Sequence, residues 1–315
     1  MAKILTTRSI IGIIGILLFI IIIIAIYLYK KRATEGFQDT NTNTNTNSNK
    51  PIIWMYWENK ETNTKRPVYL DVCLETIKKH CSSSFNIIVL DEHTVFDYLP
   101  EVRRDLDAKC SIPQKTDYYR YMLLYKYGGV WIDSDIIMMK DLRPLLDKLA
   151  STTKYEYIGA GCHGNKCTPS GYPKPSNWFM ASRKEGKLMS RCLKGADEIL
   201  DANESIKTKY FIIGRELMWR EIDYLIKNDK SWSYYHLPSV CTERDSNDNK
   251  YVNKRMLSEE SNDPKCANKQ YFIPIYNTAP GFPQWFKDYS REQILAHSSN
   301  LLISKLFRES LGLGL

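Results

Sequence analysis

Three catalytic signatures are missing from the 315 residues: Gly-X-Ser-X-Gly, His-Glu-X-X-His and Gly-X4-Gly-Lys-Ser/Thr. Nucleophile-elbow hydrolases, helix-borne zinc hydrolases and P-loop phosphate binders therefore lack support. No Lys/Arg-rich stripe is present, which argues against a nucleic-acid partner even at a formal net charge of +8. That charge is uneven. Residues 1–50 hold six Lys/Arg and two acids, and so carry half of it. The rest of the chain is mildly basic, which suits an anionic small ligand such as a nucleotide diphosphate. No internal repeat is visible.

Charge is wholly absent from residues 9–29, which are mostly Ile and Leu. At about 1.5 Å per residue such a helix spans roughly 30 Å, the hydrocarbon thickness of a bilayer. A cleavable signal peptide needs a shorter apolar core and a small-residue cleavage site. Here Tyr27-Leu28-Tyr29-Lys30-Lys31-Arg32 follows, which reads as an interfacial boundary. The expectation is an uncleaved membrane anchor over 9–29, after a short tail over 1–8. Basic residues flank both sides almost equally, so the positive-inside rule leaves orientation open. A type II protein with its large domain in a Golgi- or ER-like lumen is the working choice, and a bacterial or viral membrane accommodates the same residues.

Cysteine is also absent before Cys73, and all eight lie beyond the anchor. An even count there fits a disulfide-permitting compartment, although buried reduced thiols are equally ordinary for this residue. Cys162 and Cys167 flank four residues and read as a small looped bridge, since no second Cys/His pair at zinc spacing follows. Residues 30–50 contain an alternating Asn/Thr run that cannot form a core and reads as a flexible stalk. The one glycosylation sequon is Asn203-Glu204-Ser205.

A folded domain is expected over 51–315. Ile52 to Trp57 reads as a buried strand. Leu70, Cys73, Leu74 and Ile77 share one helical face, and Asn86 to Leu90 form a second strand. Strand, helix, strand in about forty residues points to a βαβ unit and a parallel sheet. A helix over 115–127 closes at Gly128-Gly129, and Val130-Trp131-Ile132 starts a third strand. Further helices are expected over 141–149, 184–200 and 215–227. Strands are expected over 155–161 and 178–181, with a long polar loop over 242–270.

The chemistry concentrates at Asp133-Ser134-Asp135. If the strand continues, residues i and i+2 point to one side. Two carboxylates so placed repel unless a cation lies between them, and oxygen ligands suit manganese or magnesium. Such a metal leaves positions open for diphosphate oxygens and offsets charge on the leaving group. A solvated acidic turn is the plain alternative. On the preceding helix, Asp117, Arg120 and Tyr121 share a face. Asp117 also suits the positive end of the helix dipole, and Arg120 can simply pair with it. The sharper reading sends Arg120, with Lys115, to a diphosphate and Asp117 to a sugar hydroxyl.

The ordered stretch from Gln114 to Tyr121, then Leu123 to Asp135, resembles the signature of the capsular polysaccharide synthesis proteins. These are similar to glycosyltransferase family 32 and other enzymes with a DXD sugar-binding region. Ile53 to Glu58 and Asn177 to Ser182 resemble two further strands of that family. The resemblance implies an α/β fold of GT-A type, with a Rossmann-like, mostly parallel central sheet flanked by helices. It implies a nucleotide-sugar donor, of UDP type, and transfer to a glycan or polysaccharide with retention of configuration. By the same resemblance Trp54, Tyr56 and Trp57 lie near the base, and Asp117, Arg120, Tyr121 and Asn177 border the donor. By that resemblance Asp135 ligates the metal and Asp133 touches ribose or sugar beside it, so both acids are candidate metal ligands; His297 is a candidate late third ligand, with a surface or capping histidine as the plain alternative. Asp133, Asp135 and Arg120 carry the chemistry. Tyr172, Trp178 and Trp285 are read as buried aromatics before acceptor-stacking ones. Two other classes compete: a glycoside hydrolase using the acid pair, and a membrane-tethered carbohydrate-binding protein without turnover.

Overall fold

The computed structural model describes residues 50–59, 65–151, 154–161, 172–237, 257, 270–277 and 282–314. The chain divides into two units, Met1–Ser48 and Asn49–Leu315. All described residues belong to the second. The expected anchor, nearly all of the stalk and the Cys162–Cys167 loop lie outside them. Among the described residues no helix is long and apolar enough to cross a membrane.

The domain opens with strand β1 (Ile52–Tyr56), helix α1 (Val68–Cys81) and strand β2 (Asn86–Leu90), and β1 pairs with β2 in parallel. Two short helices follow, α2 (Val95–Tyr98) and α3 (Leu106–Lys109). Helix α4 (Ile112–Tyr127) then leads into β3 (Gly129–Ile132), which returns to the other side of β1, again in parallel. The chain therefore reverses direction around β1. In open α/β sheets the crevice at such a switch, beyond the carboxyl ends of the strands, is where ligands bind.

After β3 come β4 (Ile136–Met138), α5 (Arg143–Ala150), β5 (Tyr157–Ala160) and β6 (Ser176–Ser182). Next are α6 (Lys187–Asp201), α7 (Arg215–Asn228) and β7 (Tyr234–Leu237). Beyond the polar segment lie β8 (Phe272–Pro274), α8 (Gln284–Lys287), α9 (Arg291–Leu295) and α10 (Leu302–Leu311). The main sheet has the order β2-β1-β3-β6-β5-β7, and β4 with β8 forms a two-stranded annex. Only β6 runs against its neighbours in the main sheet, so the expected mostly parallel α/β sheet is present.

Strand alternation sorts the core into two layers. Trp54 and Tyr56 point to the layer filled by α4, α6 and α7, whereas Ile53 and Met55 point to the layer of α1, α5 and the annex. Full burial of such side chains is worth about 1.5–3 kcal/mol each. A third cluster packs Leu302, Ile303, Leu306 and Phe307 of α10 against Tyr69 and Leu70 of α1. Cys73, Cys81, Cys110 and Cys192 are buried and unbridged. The disulfide expectation thus finds no bridge among the described cysteines.

The turn between α4 and β3 is glycine by necessity. Gly128 and Gly129 have φ of 70° and 94°, which L side chains rarely adopt. A Cβ on Gly129 would overlap the Ile52 carbonyl. This tight passage sets β3 against β1 and so fixes where the residues after Ile132 emerge.

Candidate active site

Helix α4 supplies the first half of the site. Its first turn is fixed by a capping box, with the Ser111 N–H donating to Gln114 Oε1 at 2.9 Å, and by Pro113. Gln114 Nε2 in turn donates to the carbonyls of Ile206 (2.7 Å) and Lys209 (3.0 Å). One residue thus closes the cap and ties segment 206–214 to the helix.

The second half follows β3. The strand stops at Ile132, so Asp133-Ser134-Asp135 lies in a bend between β3 and β4, not on a strand. The expectation that i and i+2 share a face by strand geometry is corrected accordingly. The bend is stitched at three points. Asp133 N–H donates to the Trp178 carbonyl (2.9 Å), Ser134 Oγ to the Tyr56 carbonyl (3.1 Å), and Ile275 N–H to the Asp135 carbonyl (2.8 Å). Ser134 is buried, which leaves the two acids on the more open side.

Arg120 joins the halves. Its guanidinium lies 3.3 Å from Asp117 Oδ1 and 3.4 Å from Asp133 Oδ1, donates to the Asn177 carbonyl, and sits over the Trp131 ring at 5.0 Å. Asn177 Nδ2 donates to Asp117 Oδ1 at 2.7 Å, and Trp131 Nε1 to Asp133 Oδ1 at 2.9 Å. Side-chain exposure is 5% for Arg120, 10% for Asp117 and 33% for Asp133, so Asp133 is the member facing solvent. Gly214 closes the back, because any Cβ there would overlap the Asp117 carboxylate.

Asp135 has different company. Its Oδ2 accepts the Asn277 N–H at 2.9 Å, in a turn where Tyr276 adopts a φ of 57°. Such a φ on a non-glycine residue holds strain of about 1–3 kcal/mol, a device that often fixes functional groups. Burial pushes Asp135 up to about 6, with Asp133 adding repulsion and the Asn277 and Tyr276 N–H groups opposing. Burial likewise raises Asp133, against Arg120, and pushes Asp117 up to about 7 despite Arg120. Burial also works against the Arg120 charge, but Asp133 and Asp117 more than restore it. Two carboxylates share one guanidinium, and Asp135 beside Asp133 adds a third with no cation of its own among the described residues, which leaves the site short of positive charge.

A divalent cation fits that deficit. Asp133 and Asp135 provide hard oxygen donors whose raised pKa values a cation would lower again. His297 is exposed after α9, and among the described residues no group of three His, Cys, Asp or Glu is placed to hold a metal.

Other expectations change. Trp54 is fully buried and donates to the Gly128 carbonyl at 3.0 Å, at the opposite end of β1 from the acids. Tyr121 is also fully buried, and its hydroxyl holds the Gly214 carbonyl at 2.9 Å. Both are core residues. Tyr56 and Trp57 do reach the carboxyl end of β1, where Tyr56 donates to Glu58 (2.6 Å) and Trp57 lies beneath Arg66 (5.8 Å). Lys115 is not free for a diphosphate, because it pairs with Glu58 (2.8 Å) and Asp107 (2.5 Å). Trp178 is buried, whereas Trp285 is 45% exposed. The supporting roles of Gly214 and Tyr276 carry no signature in sequence. Two surface hollows, of ≈ 260 and ≈ 350 Å³, open beside Lys184 and Arg183 where β6 ends and β3 begins. The acidic bend lies where β3 ends, and chemistry rather than cavity size marks it as the site.

A sequence profile described as capsular polysaccharide synthesis protein matches residues 23–265. The chain belongs to that family. Among curated proteins it is similar to the lactosylceramide 4-alpha-galactosyltransferase of Rattus norvegicus, at 32% identity over 85 residues, which is 25% of this chain and 24% of that protein. The enzyme of the same name from Pongo pygmaeus is 26% identical over 83 residues, covering 26% and 30%. The family member thus spans only about a quarter to a third of the length of these relatives. Among solved structures, the galactosyltransferase LgtC is 11% identical over 83% of this chain and 95% of that one, with a TM-score of 0.43. Mouse xyloside xylosyltransferase 1 is 11% identical over 73% and 99%, with a TM-score of 0.41.

Proposed function

We propose that this chain is a glycosyltransferase of GT-A type. It moves a sugar from a nucleotide-sugar donor, of UDP type, to a hydroxyl of a glycan or polysaccharide, with retention at the anomeric carbon. The observation that carries the reading is the buried Asp117–Arg120–Asn177–Asp133 network, held beside Asp135 at the carboxyl end of β3. Membership of a polysaccharide-synthesis family supports it.

Asp135 and Asp133 would hold manganese or magnesium, which when bound would offset the charge of the diphosphate as a Lewis acid. Arg120 supports it by fixing Asp133 and by opposing negative charge in a poorly hydrated site. Asp117, anchored by Asn177, presents a carboxylate or carboxyl to sugar hydroxyls. Tyr56 and Trp57 border the base at the end of β1. The bond from the anomeric carbon to the diphosphate oxygen breaks, and the acceptor oxygen bonds to that carbon on the same face. The acceptor proton leaves with the diphosphate. A single-pass type II anchor over 9–29, holding the domain in a lumen, belongs to the same proposal and rests on sequence alone.

The test incubates the full chain in detergent with UDP-, GDP- and CMP-sugars, in manganese or in EDTA, and measures released nucleotide. The reading expects manganese-dependent release from one donor and a loss of at least about 100-fold in Asp135→Ala, the scale of removing a main electrostatic stabiliser. Equal release in EDTA overturns the metal, and no release from any donor overturns the transferase. Protease protection of sealed microsomes tests the topology, and digestion from the cytosolic side contradicts a lumenal domain.

A further inference from the structure

Segment 206–214 has a second surface that the donor reading does not use. Its inner side is tied to the site through Gln114, the Tyr121 hydroxyl and the Gly214–Asp117 contact. Its outer side presents Tyr210 and Phe211, 48% and 41% exposed, packed edge to face at 4.7 Å. Exposed apolar side chains gathered side by side next to a polar site mark a candidate ligand surface. The two rings hold each other edge to face and so present a fixed aromatic edge to solvent.

The aromatics continue onto α7 with cations set between them. The Arg215 guanidinium lies 4.2 Å from the Phe211 ring centroid and 5.1 Å from that of Trp219. Lys174 lies 5.7 Å from Trp219 and 6.0 Å from Tyr172. The two cations differ in one respect. Lys174 is buried and paired with Asp223 at 2.5 Å. Arg215 is half-buried and makes no hydrogen bond or ion pair among the described residues; its Nε is enclosed, while the outer guanidinium nitrogens are not. A guanidinium held by ring faces, with its outer nitrogens meeting no carboxylate, is arranged for a planar anion arriving from outside.

We infer that the strip Tyr210–Phe211–Arg215–Trp219 is the acceptor subsite, and that it takes an acidic glycan: a pyranose ring lies on Phe211 or Tyr210 while a uronate-type carboxylate meets Arg215. This rests on the transferase reading for the word acceptor. The binding itself does not depend on it. The strip begins where the segment leaves Asp117, and Tyr210 is near enough to Arg120 to add to the field there. A chain laid along the strip therefore ends beside the acids, where its terminal hydroxyl is needed. Trp285 is the rival platform. It packs on Phe286 and Tyr289 in the α10 cluster, in the layer across the sheet from α4 and α7.

The test titrates the full chain in detergent, without nucleotide, with tetragalacturonic acid or with neutral maltotetraose, and follows binding by calorimetry. The wild-type protein is expected to bind the acidic tetrasaccharide at least tenfold more tightly than the neutral one. Arg215→Gln should abolish that preference. Phe211→Ala should weaken the acidic ligand about tenfold, and Trp285→Ala should leave it unaltered. Circular dichroism confirms that each variant is folded. Binding of neither ligand, equal binding of both, or loss confined to Trp285→Ala overturns the assignment. A UDP-sugar thermal shift on the same samples separates the two readings: glycan binding without any donor response sinks the transferase and leaves the acidic-glycan strip standing.

Discussion

Two ionic clusters share helix α4, five residues apart, and each sets one cation between two carboxylates. Lys115 pairs with Glu58 and Asp107, and Arg120 pairs with Asp117 and Asp133. Their difference is where the extra negative charge goes. Asp107 is 79% exposed, so water carries it in the first cluster. In the second, Asp117 and Asp133 are 10% and 33% exposed, and Asp135 adds a third carboxylate nearby. The same composition yields a structural pair in one place and an unsatisfied negative site in the other. Burial of the partners, together with the added Asp135 carboxylate, separates the two clusters.

The largest effect should come from removing the shared cation. Arg120→Ala leaves Asp117 and Asp133 without their partner and should destabilise the fold by about 3–5 kcal/mol, as breaking a buried pair does. Lys115→Met should cost about 1–2 kcal/mol, because Asp107 is restored to water. Urea unfolding of both variants checks the contrast, and equal losses break it.

The contrast sharpens with pH. Asp117 rises from the usual carboxylate value to about 7 through burial. An acid raised on folding resists ionisation in the native state, so the penalty is absent in strong acid, grows between about pH 4 and 7, and is constant above that. Asp117→Asn should therefore gain stability at pH 8, and less than half as much at pH 5, while donor turnover falls. A gain that is larger at pH 5 contradicts the burial account. The smallest effect belongs to the cap: Ser111→Ala should cost about 1 kcal/mol in urea unfolding, with turnover retained.

The sequence already carried much of this in local signals. Apolar runs gave β1 and β2, helical spacing gave α1, and Pro113 with Gly128-Gly129 bracketed α4. What stayed hidden depends on long-range pairing. Nothing near Lys115 announces Glu58, 57 positions away, and nothing near Asp117 announces Asn177 or Gly214. Trp54 and Tyr121 sit within the motif yet face the core, because strand alternation and helix phase decide direction while the motif supplies only order. The bend at Asp133–Asp135 was read as strand because an apolar run precedes it, but buried Ser134 hydrogen-bonded to Tyr56 forces the turn. Strands β4, β7 and β8, of three or four residues, are too short for a period to show. The C-terminal helices packed on α1 were likewise unread.

The central claim is that this negative site exists to take a divalent cation, and direct manganese titration of the full chain tests it most closely. Electron paramagnetic resonance of free manganese, with and without UDP, should show one bound ion per chain, tighter with UDP, and lost in Asp135→Asn. A manganese affinity that is unchanged in Asp135→Asn, or absent from the wild-type protein with UDP present, contradicts the account.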